Sequence, residues 1–351
     1  MVRCPIVAAL LLASVLVRPT RAIAQSSDGS INGTARRAEN DEPIAFALVR
    51  LVPEQQTESA SPRQTITAAD GRWFFPRIVA GDYRVQLARI GYAPVLSPVL
   101  HVRAGEATRH EIRATTEAIR LAAVTVRGEG ACLTADHLAA EPQLATLWSE
   151  AGKGVEIRRA FEQAYRFARD RRQDIHTRWR FRRATDEVRH DTLTNNPDSV
   201  LVLDRHRRSR RQSEGYMKPG TFLIAIPDEK DLLDEEFLRD HCLETTIERG
   251  DGALGLHFRP VRSRDGFVDI RGTIWVEADT YIMRRLAFDW LRGKRVLGVS
   301  TIDYGDVGVD GRSIRLPAWG KVSVDPDGMA GALIRDATAT LTFTYLGFAP
   351  R

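Results

Sequence analysis

The sequence predicts an N-terminal all-β sandwich of about seven strands, followed by an α+β domain with a large antiparallel sheet and one or two packing helices. Three observations support this fold class. Residues 29–126 carry short apolar strands with turn signals every ten or so residues. From about Asp136, apolar residues recur at helical spacing. In the C-terminal half, four Asp-Gly dipeptides separate further short strands.

Residues 1–24 are predicted to be a secretory signal peptide. Met1-Val2-Arg3 is a short basic start, the apolar run to Val17 is too short to span a bilayer, and Ala22-Ile23-Ala24 is a small-x-small cleavage site. No later run has transmembrane length. We therefore expect an exported protein that is periplasmic, outer-membrane-associated or extracellular.

Net charge argues against a nucleic-acid partner. The chain has a formal net charge of +5, and cleavage of the signal removes three arginines and no acidic residue, which leaves +2. A near-neutral exported chain lacks the strong positive field that nucleic-acid binding requires.

The segment 70–92 is predicted to be a hairpin of the sandwich. Asp70-Gly71 is a tight-turn dipeptide, and an aromatic strand at 73–75 follows it. Gly81-Asp82 is read as a second turn, before a strand in which Tyr83, Val85 and Leu87 alternate with polar residues. The other predicted strands are 31–35, 44–52, 95–102 and 110–113.

Several motifs in this region, in the same order, resemble the carboxypeptidase regulatory-like domain. They are Gly33-Thr34, Glu42-Pro43-Ile44, Ala47-Leu48-Val49, Thr67, Asp70-Gly71-Arg72-Trp73-Phe74, Ala80-Gly81-Asp82-Tyr83 and Ile90-Gly91-Tyr92. The resemblance covers residues 28–127 and implies a prealbumin-type, immunoglobulin-like sandwich, also grouped with carbohydrate-binding-like folds, without catalysis of its own. Such domains occur on secreted carboxypeptidases and at the front of outer-membrane receptors. The remaining chain is too short for a receptor plug and barrel.

Residues 128–135 are predicted to be a hinge, and residues 136–351 an α+β domain. Its helical pattern runs to Ala168, and Gly152 and Gly154 leave open whether it forms one bent helix or two. A strand is predicted from Ile175 and a short acidic helix over 228–241. Residues 269–276 and 284–286 loosely resemble the curved half-barrel of periplasmic lipoprotein carriers.

Two cysteines remain after signal cleavage, Cys132 and Cys242. An even pair in an oxidising compartment predicts one disulfide. The sequence leaves open the alternative of two separately buried thiols.

The candidate ligand contacts are aromatic and basic residues. Trp73 and Tyr92 are candidates for stacking on sugars, because three consecutive aromatic residues must point to both faces of a strand. Arg178, Arg180 and Arg182 form a basic strand face that suits anionic glycans or lipid headgroups. The alternative is a solvated face, partly balanced by the acidic segment 228–244.

No catalytic residue, metal or cofactor is predicted. His241-Cys242-Leu243-Glu244 matches the His-x-x-Glu pair of zinc carboxypeptidases, but the one later histidine, His257, follows too closely to be the third ligand of that family. The alternative is a histidine that caps the acidic helix beside a disulfide-bonded cysteine.

We therefore expect a non-catalytic, secreted envelope protein that binds or scaffolds, with a glycan or an envelope protein as its partner. The sequence leaves open whether the protein also contacts a membrane surface peripherally. The alternatives are an accessory module for a separately encoded receptor or peptidase, and a lipid or lipoprotein carrier. A carrier needs a concave apolar sheet face that stays open to solvent. A zinc hydrolase is the last alternative.

Overall fold

The computed structural model describes residues 28–55, 63–117, 131–138, 140–194, 232–233, 237–263, 268–324 and 334–350. The predicted signal peptide and two of the predicted Asp-Gly turns, at 265–266 and 327–328, lie outside these residues.

Eight strands form the N-terminal sandwich, which confirms the predicted fold class. They are β1 (Asp28–Arg37), β2 (Leu48–Pro53), β3 (Arg63–Ile66), β4 (Arg72–Val79), β5 (Gly81–Ala88), β6 (Val95–Leu96), β7 (Leu100–Val102) and β8 (Ala107–Ala114). One sheet has the order β4-β1-β8, and the other has the order β3-β2-β5-β6 with β7 paired to β5. Strand alternation sends one set of side chains into the core between the sheets, as in β1, where every second residue is buried.

The predicted hairpin is wrong, because its two strands lie in different sheets. β4 pairs with β1, whereas β5 pairs with β2. Trp73 on β4 and Val85 and Leu87 on β5 are all buried in the same core cluster. The chain therefore crosses from one sheet to the other at Ala80, so that both strands bury an apolar face against each other.

Gly33 in β1 occupies a site with no room for a side chain. A Cβ there would lie 1.7 Å from the His110 carbonyl oxygen and 2.6 Å from Trp73 Cζ2. Since the nearer atom belongs to the backbone, Gly33→Ala must displace β8, and we expect the free energy of unfolding to fall by about 3 kcal/mol. Urea unfolding measures this change. Gly308→Ala is the control, because that strand glycine has open space around it; equal losses for both variants would contradict the prediction.

The rest of the described chain builds a ten-stranded antiparallel sheet with helices on one face, as predicted. Its strands are β9 (Cys132–Leu133), β10 (Tyr165–Trp179), β11 (Thr185–Thr194), β12 (His241–Gly250), β13 (Ala253–Pro260), β14 (Asp269–Glu277), β15 (Met283–Arg292), β16 (Arg295–Val309), β17 (Arg312–Val324) and β18 (Ile334–Pro350). The order is β11-β10-β18-β17-β16-β15-β14-β13-β12-β9. The helices are α1 (Ala135–Leu138), α2 (Pro142–Ala164) and α3 (Phe237–Asp240).

Helix α2 covers an apolar face of this sheet. Its residues Leu144, Leu147 and Ala151 belong to one core cluster with sheet residues such as Leu256 and Trp290. The buried members of this cluster are at most 6% exposed. In the described residues, helix α2 therefore covers this apolar face of the sheet. A lipid carrier would require such a face to stay open to solvent.

Three element boundaries differ from the sequence predictions. Helix α2 is continuous through both of its glycines but ends at Ala164 instead of Ala168. β10 takes over at Tyr165, because Tyr165 and Phe167 are buried on either side of an exposed residue, which is the strand period. The predicted acidic helix ends at Asp240 instead of His241, and His241 is the first residue of β12.

Two of the predicted Asp-Gly turns lie in the described residues and are confirmed. Asp251-Gly252 joins β12 to β13, and Asp310-Gly311 joins β16 to β17. In both turns the aspartate and the glycine have positive φ, as two-residue hairpins of the right-handed twist require.

The predicted disulfide is present. Cys132 and Cys242 are bonded, with their Cα atoms 5.3 Å apart. Cys132 lies in β9, which pairs with β12. This part of the predicted hinge is therefore an edge strand of the large sheet, and residues 128–130 lie outside the described residues.

Helix α2 also contacts the sandwich. The Phe46 ring from the sandwich lies 5.9 Å from the Phe161 ring of α2, and Arg50 forms an ion pair with Glu156. Gly154 brings α2 close to Ile90, whose Cδ1 would lie 3.3 Å from an added Cβ. One helix thus packs against both sheet systems. Within the described residues, no helix combines the length and apolar character needed to cross a membrane.

Candidate functional site

A cleft of about 890 Å³ lies where the sandwich meets the C-terminal end of α2. One wall is the outer face of the β4-β1-β8 sheet together with β3, and the other is the last turn of α2 with Pro350 of β18. The side chains that give the cleft its character are aromatic, amide, hydroxyl and guanidinium groups: Phe74, Tyr165, Asn32, Gln64, Gln163, Thr34, Arg72 and Arg109.

Strand register places the sandwich side chains of the cleft in rows. Asn32 of β1 is the partner of Phe74 on β4 and of Arg109 on β8. Cross-strand partners share a face of their sheet, so these three side chains form one row across the cleft wall. Thr34 and Arg72 are partners in the same way and form the next row.

Phe74 is the exposed aromatic residue of this face, and Trp73 is not. The Phe74 side chain is 52% exposed, whereas Trp73 is 3% exposed and its ring lies 6.0 Å from that of Phe75 in the core. Strand alternation turns the Trp73 ring into the core, so it offers little surface for stacking even though the residue belongs to the cleft lining, and its role as a ligand contact stays a prediction. The expectation that one of the three consecutive aromatic residues faces outward is met by Phe74.

The α2 wall adds an exposed amide, Gln163, and a buried phenol, Tyr165. Burial, together with the nearby Asp310 carboxylate, raises the pKa of Tyr165 to about 12, so this phenol is neutral at physiological pH. Its hydroxyl lies 3.4 Å from Asp310 Oδ2 as a hydrogen-bond donor. The lining that the structure describes contains no Asp, Glu, His or Cys. The aromatic, amide, hydroxyl and guanidinium groups of the lining can stack and hydrogen-bond.

Arginines at the cleft have different tasks. Arg63 Nη1 and Nη2 donate to the carbonyl oxygens of Arg77 and Pro76, each at 2.7 Å, and so tie β3 to β4. Arg72 Nε lies 3.2 Å from Asp70 Oδ2 in an exposed ion pair. Arg109 is exposed on β8. Arg109 is therefore the guanidinium best placed beside Phe74 for a ligand.

Tyr92 does not line the cleft. Its hydroxyl accepts a hydrogen bond from Arg37 Nη2 at 3.1 Å, and the Arg89 guanidinium lies 6.0 Å from its ring centre. The residue is half-buried and contacts the sandwich core. Its predicted role as a stacking platform is not supported by this environment.

The predicted basic face lies on β10 and the turn after it, away from the cleft lining. Arg178 Nε donates to both carboxylate oxygens of Asp336 on β18 at 2.8 Å, and Arg182 lies 3.4 Å from the Trp179 ring centre. Arg180 is exposed. Carboxylates of the neighbouring strands β11 and β18 pair with basic side chains of β10.

The structure does not assemble the zinc pattern. His241 is 1% exposed and stacks on the Phe237 ring, with 4.1 Å between ring centres. Glu244 accepts a hydrogen bond from Arg259 Nε at 3.1 Å. His257 Nε2 lies 3.3 Å from Glu248 instead. Among the described residues, no three His, Cys, Asp or Glu side chains are grouped so that they could hold a metal ion.

The family comparison assigns the sandwich. Residues 30–115 match the family model of the carboxypeptidase regulatory-like domain. This segment is a carboxypeptidase regulatory-like domain. The sandwich wall of the cleft, from Asn32 to Arg109, lies entirely within it, and this domain fits a non-catalytic binding module. A search of curated proteins finds no match.

Solved structures give distant similarities. A protein from Pseudomonas aeruginosa that is designated carbohydrate-binding is 15% identical and covers 26% of this chain and 92% of its own, with a TM-score of 0.20. A DUF1329 family protein from Desulfovibrio piger is 11% identical over 57% and 90%, with a TM-score of 0.31. A LolA superfamily protein from Nitrosomonas europaea is 13% identical over 53% and 86%, with a TM-score of 0.24. With TM-scores this low, the functional interpretation rests on the cleft itself.

Sequence reasoning missed most of the cleft in the regulatory-like domain. Phe74 lies two residues after Arg72 and therefore on the same face of β4. Because a guanidinium group favours the solvent side, the sequence already indicated that Phe74 faces outward. The contributions of Gln163 and Pro350 had no such signal, because they come from distant parts of the chain.

Proposed function

We propose that this chain is a non-catalytic binding protein of the cell envelope and that its cleft binds a glycan. The observation that carries the proposal is the exposed Phe74 ring in a row with Asn32 and Arg109. The predicted signal peptide supports export, and a disulfide suits an oxidising compartment.

The groups of the cleft match the two surfaces of a sugar ring. An aromatic side chain supplies a flat apolar surface for the C–H face, while amides and guanidinium groups hydrogen-bond the hydroxyls at the ring edge. The cleft volume of about 890 Å³ lies within the usual range of about 300–1,000 Å³ for ligand sites. Its walls come from two regions of the chain, which is a common location for such sites.

Phe74→Ala tests the proposal. We expect this variant to bind soluble peptidoglycan fragments or neutral oligosaccharides at least about tenfold more weakly, because loss of one aromatic contact costs about 1.4 kcal/mol or more. Isothermal titration calorimetry on the full chain measures the affinity. Val79→Ala is the matched control, since Val79 is 64% exposed on the same strand but does not line the cleft.

A wild-type chain that binds none of these glycans, or a Phe74→Ala variant with unchanged affinity, would contradict the proposal. Circular dichroism confirms that each variant is folded before the titration.

A second candidate ligand is an extended peptide of an envelope protein. It is favoured by one observation: β3 and β4 are edge strands of their sheets, and both line the cleft. Edge strands can accept another strand through their free backbone groups. Hydrogen exchange separates the two ligands, because strand addition protects backbone amides of β3 or β4, whereas a glycan on Phe74 leaves them exchanging. An accessory role for a separately encoded receptor or peptidase belongs to this second candidate.

A further inference from the structure

The tip of the β10–β11 hairpin carries an apolar and basic cluster that the proposed glycan cleft does not use. Residues 179–184 read Trp-Arg-Phe-Arg-Arg-Ala and run from the last residue of β10 through the connection to β11. Phe181 is 81% exposed, more than any other large apolar side chain in the described residues. Arg180, Arg182 and Arg183 surround it in the sequence and are exposed as well.

We propose that this tip docks the protein on a bilayer with anionic lipids, with Phe181 inserted at the interface and the arginines on the headgroups. An exposed aromatic ring gains from leaving water, and the interfacial layer of a bilayer is the environment that accepts it. Arginines beside it are attracted to the negative surface potential of anionic lipids.

The tip carries a positive charge, because its three arginines have no acidic residue among them. Two carboxylates at the adjoining ends of β11 and β18 are already engaged, since Asp336 accepts from Arg178 and Asp186 Oδ1 lies 2.7 Å from His176 Nδ1. The segment 179–184 contains no acidic residue. Among the described residues, Arg182 and Arg183 have no ion-pair partner.

The tip is held in shape, so docking would not have to order it. Trp179 Nε1 donates to Thr185 Oγ1 at 3.0 Å across the base of the connection. The Arg182 guanidinium lies 3.4 Å from the Trp179 ring centre. A pre-ordered loop loses less conformational entropy on binding.

The hairpin itself is accessible to a flat surface. From Ala168 to Thr194, no side chain whose exposure the structure describes is buried. An anionic polysaccharide would engage the arginines and at most one face of the Phe181 ring. The high exposure of Phe181 favours a bilayer, because insertion at the interface removes the whole ring from water.

Vesicle co-sedimentation of the signal-free full chain tests this proposal. We expect binding to vesicles of phosphatidylcholine mixed with phosphatidylglycerol, and at least tenfold weaker binding to phosphatidylcholine alone. Phe181→Ser is expected to weaken binding to the anionic vesicles at least tenfold. Val188→Ser is the matched control, since Val188 is 54% exposed on the same hairpin, and it should leave binding unchanged.

The charge component is tested with Arg182→Gln combined with Arg183→Gln, which should weaken binding and reduce its sensitivity to salt. Absence of wild-type binding, equal binding to both kinds of vesicle, or full binding by Phe181→Ser would overturn the proposal. Binding to dextran sulfate that the arginine variant loses and Phe181→Ser keeps, without vesicle binding, would point to an anionic polysaccharide instead. The glycan titrations at Phe74 are independent of all these outcomes.

Discussion

Phe161→Ala is expected to lower the free energy of unfolding by about 4 kcal/mol, as truncation of a fully buried phenylalanine does. Phe161 is 0% exposed. Its ring centre lies 4.8 Å from that of Tyr165 and within 6 Å of those of Phe46, Phe167 and Phe348. One side chain therefore joins the sandwich, helix α2 and two strands of the large sheet.

Urea denaturation followed by tryptophan fluorescence and by far-ultraviolet circular dichroism measures this loss. Phe181→Ala removes the same number of atoms from an 81% exposed position and should change stability by less than about 0.5 kcal/mol. Equal stability losses for the two variants would show that the aromatic cluster does not hold the two regions together.

Loss of the Cys132–Cys242 disulfide is the second large effect. We expect Cys132→Ser combined with Cys242→Ser to lower the free energy of unfolding by about 3 kcal/mol, because the cross-link restricts the unfolded chain over a sequence separation of 110 residues. In the folded state, β9 is two residues long and pairs with Leu243 and Glu244 of β12. An edge strand this short has little else to keep it in place.

Denaturant unfolding with and without reductant measures the effect. Reductant should destabilise the wild-type chain by a similar amount and leave the double variant unchanged. Wild-type stability that is indifferent to complete reduction, verified by mass spectrometry of alkylated thiols, would contradict this expectation.

The fold class followed from local patterns, because turn dipeptides and apolar alternation are set by neighbouring residues. Asp251-Gly252 and Asp310-Gly311 adopt the positive φ values that their residue types favour. The placement of β4 and β5 in different sheets did not follow from local patterns. A short connection between two strands suits a hairpin and a sheet-to-sheet crossing equally well. The core decided between them, since burying Trp73 requires β4 to lie opposite β5.

The candidate site was predicted only in part for a similar reason. Alternation placed one aromatic residue of 73–75 on the outside, but the choice of the buried Trp73 over the exposed Phe74 made no use of the strand face that Phe74 shares with Arg72. The start of β10 at Tyr165 was hidden by a helical spacing that continued past it. Contacts with distant parts of the chain, such as those of Tyr165 with Phe46 and with its register partner Pro350, overrode that local pattern.

The position of β18 sets the order in which the large sheet can be completed. β18 lies between β10 and β17, and Tyr165 at the start of β10 pairs with Pro350 at the end of β18. β10 and β11 can form their local hairpin early, but they have no sheet to join until the strand at 334–350 has been synthesised. Attachment of β10 and β11 to this sheet therefore has high contact order, which predicts slow folding and a period in which β10 exposes an unpaired edge.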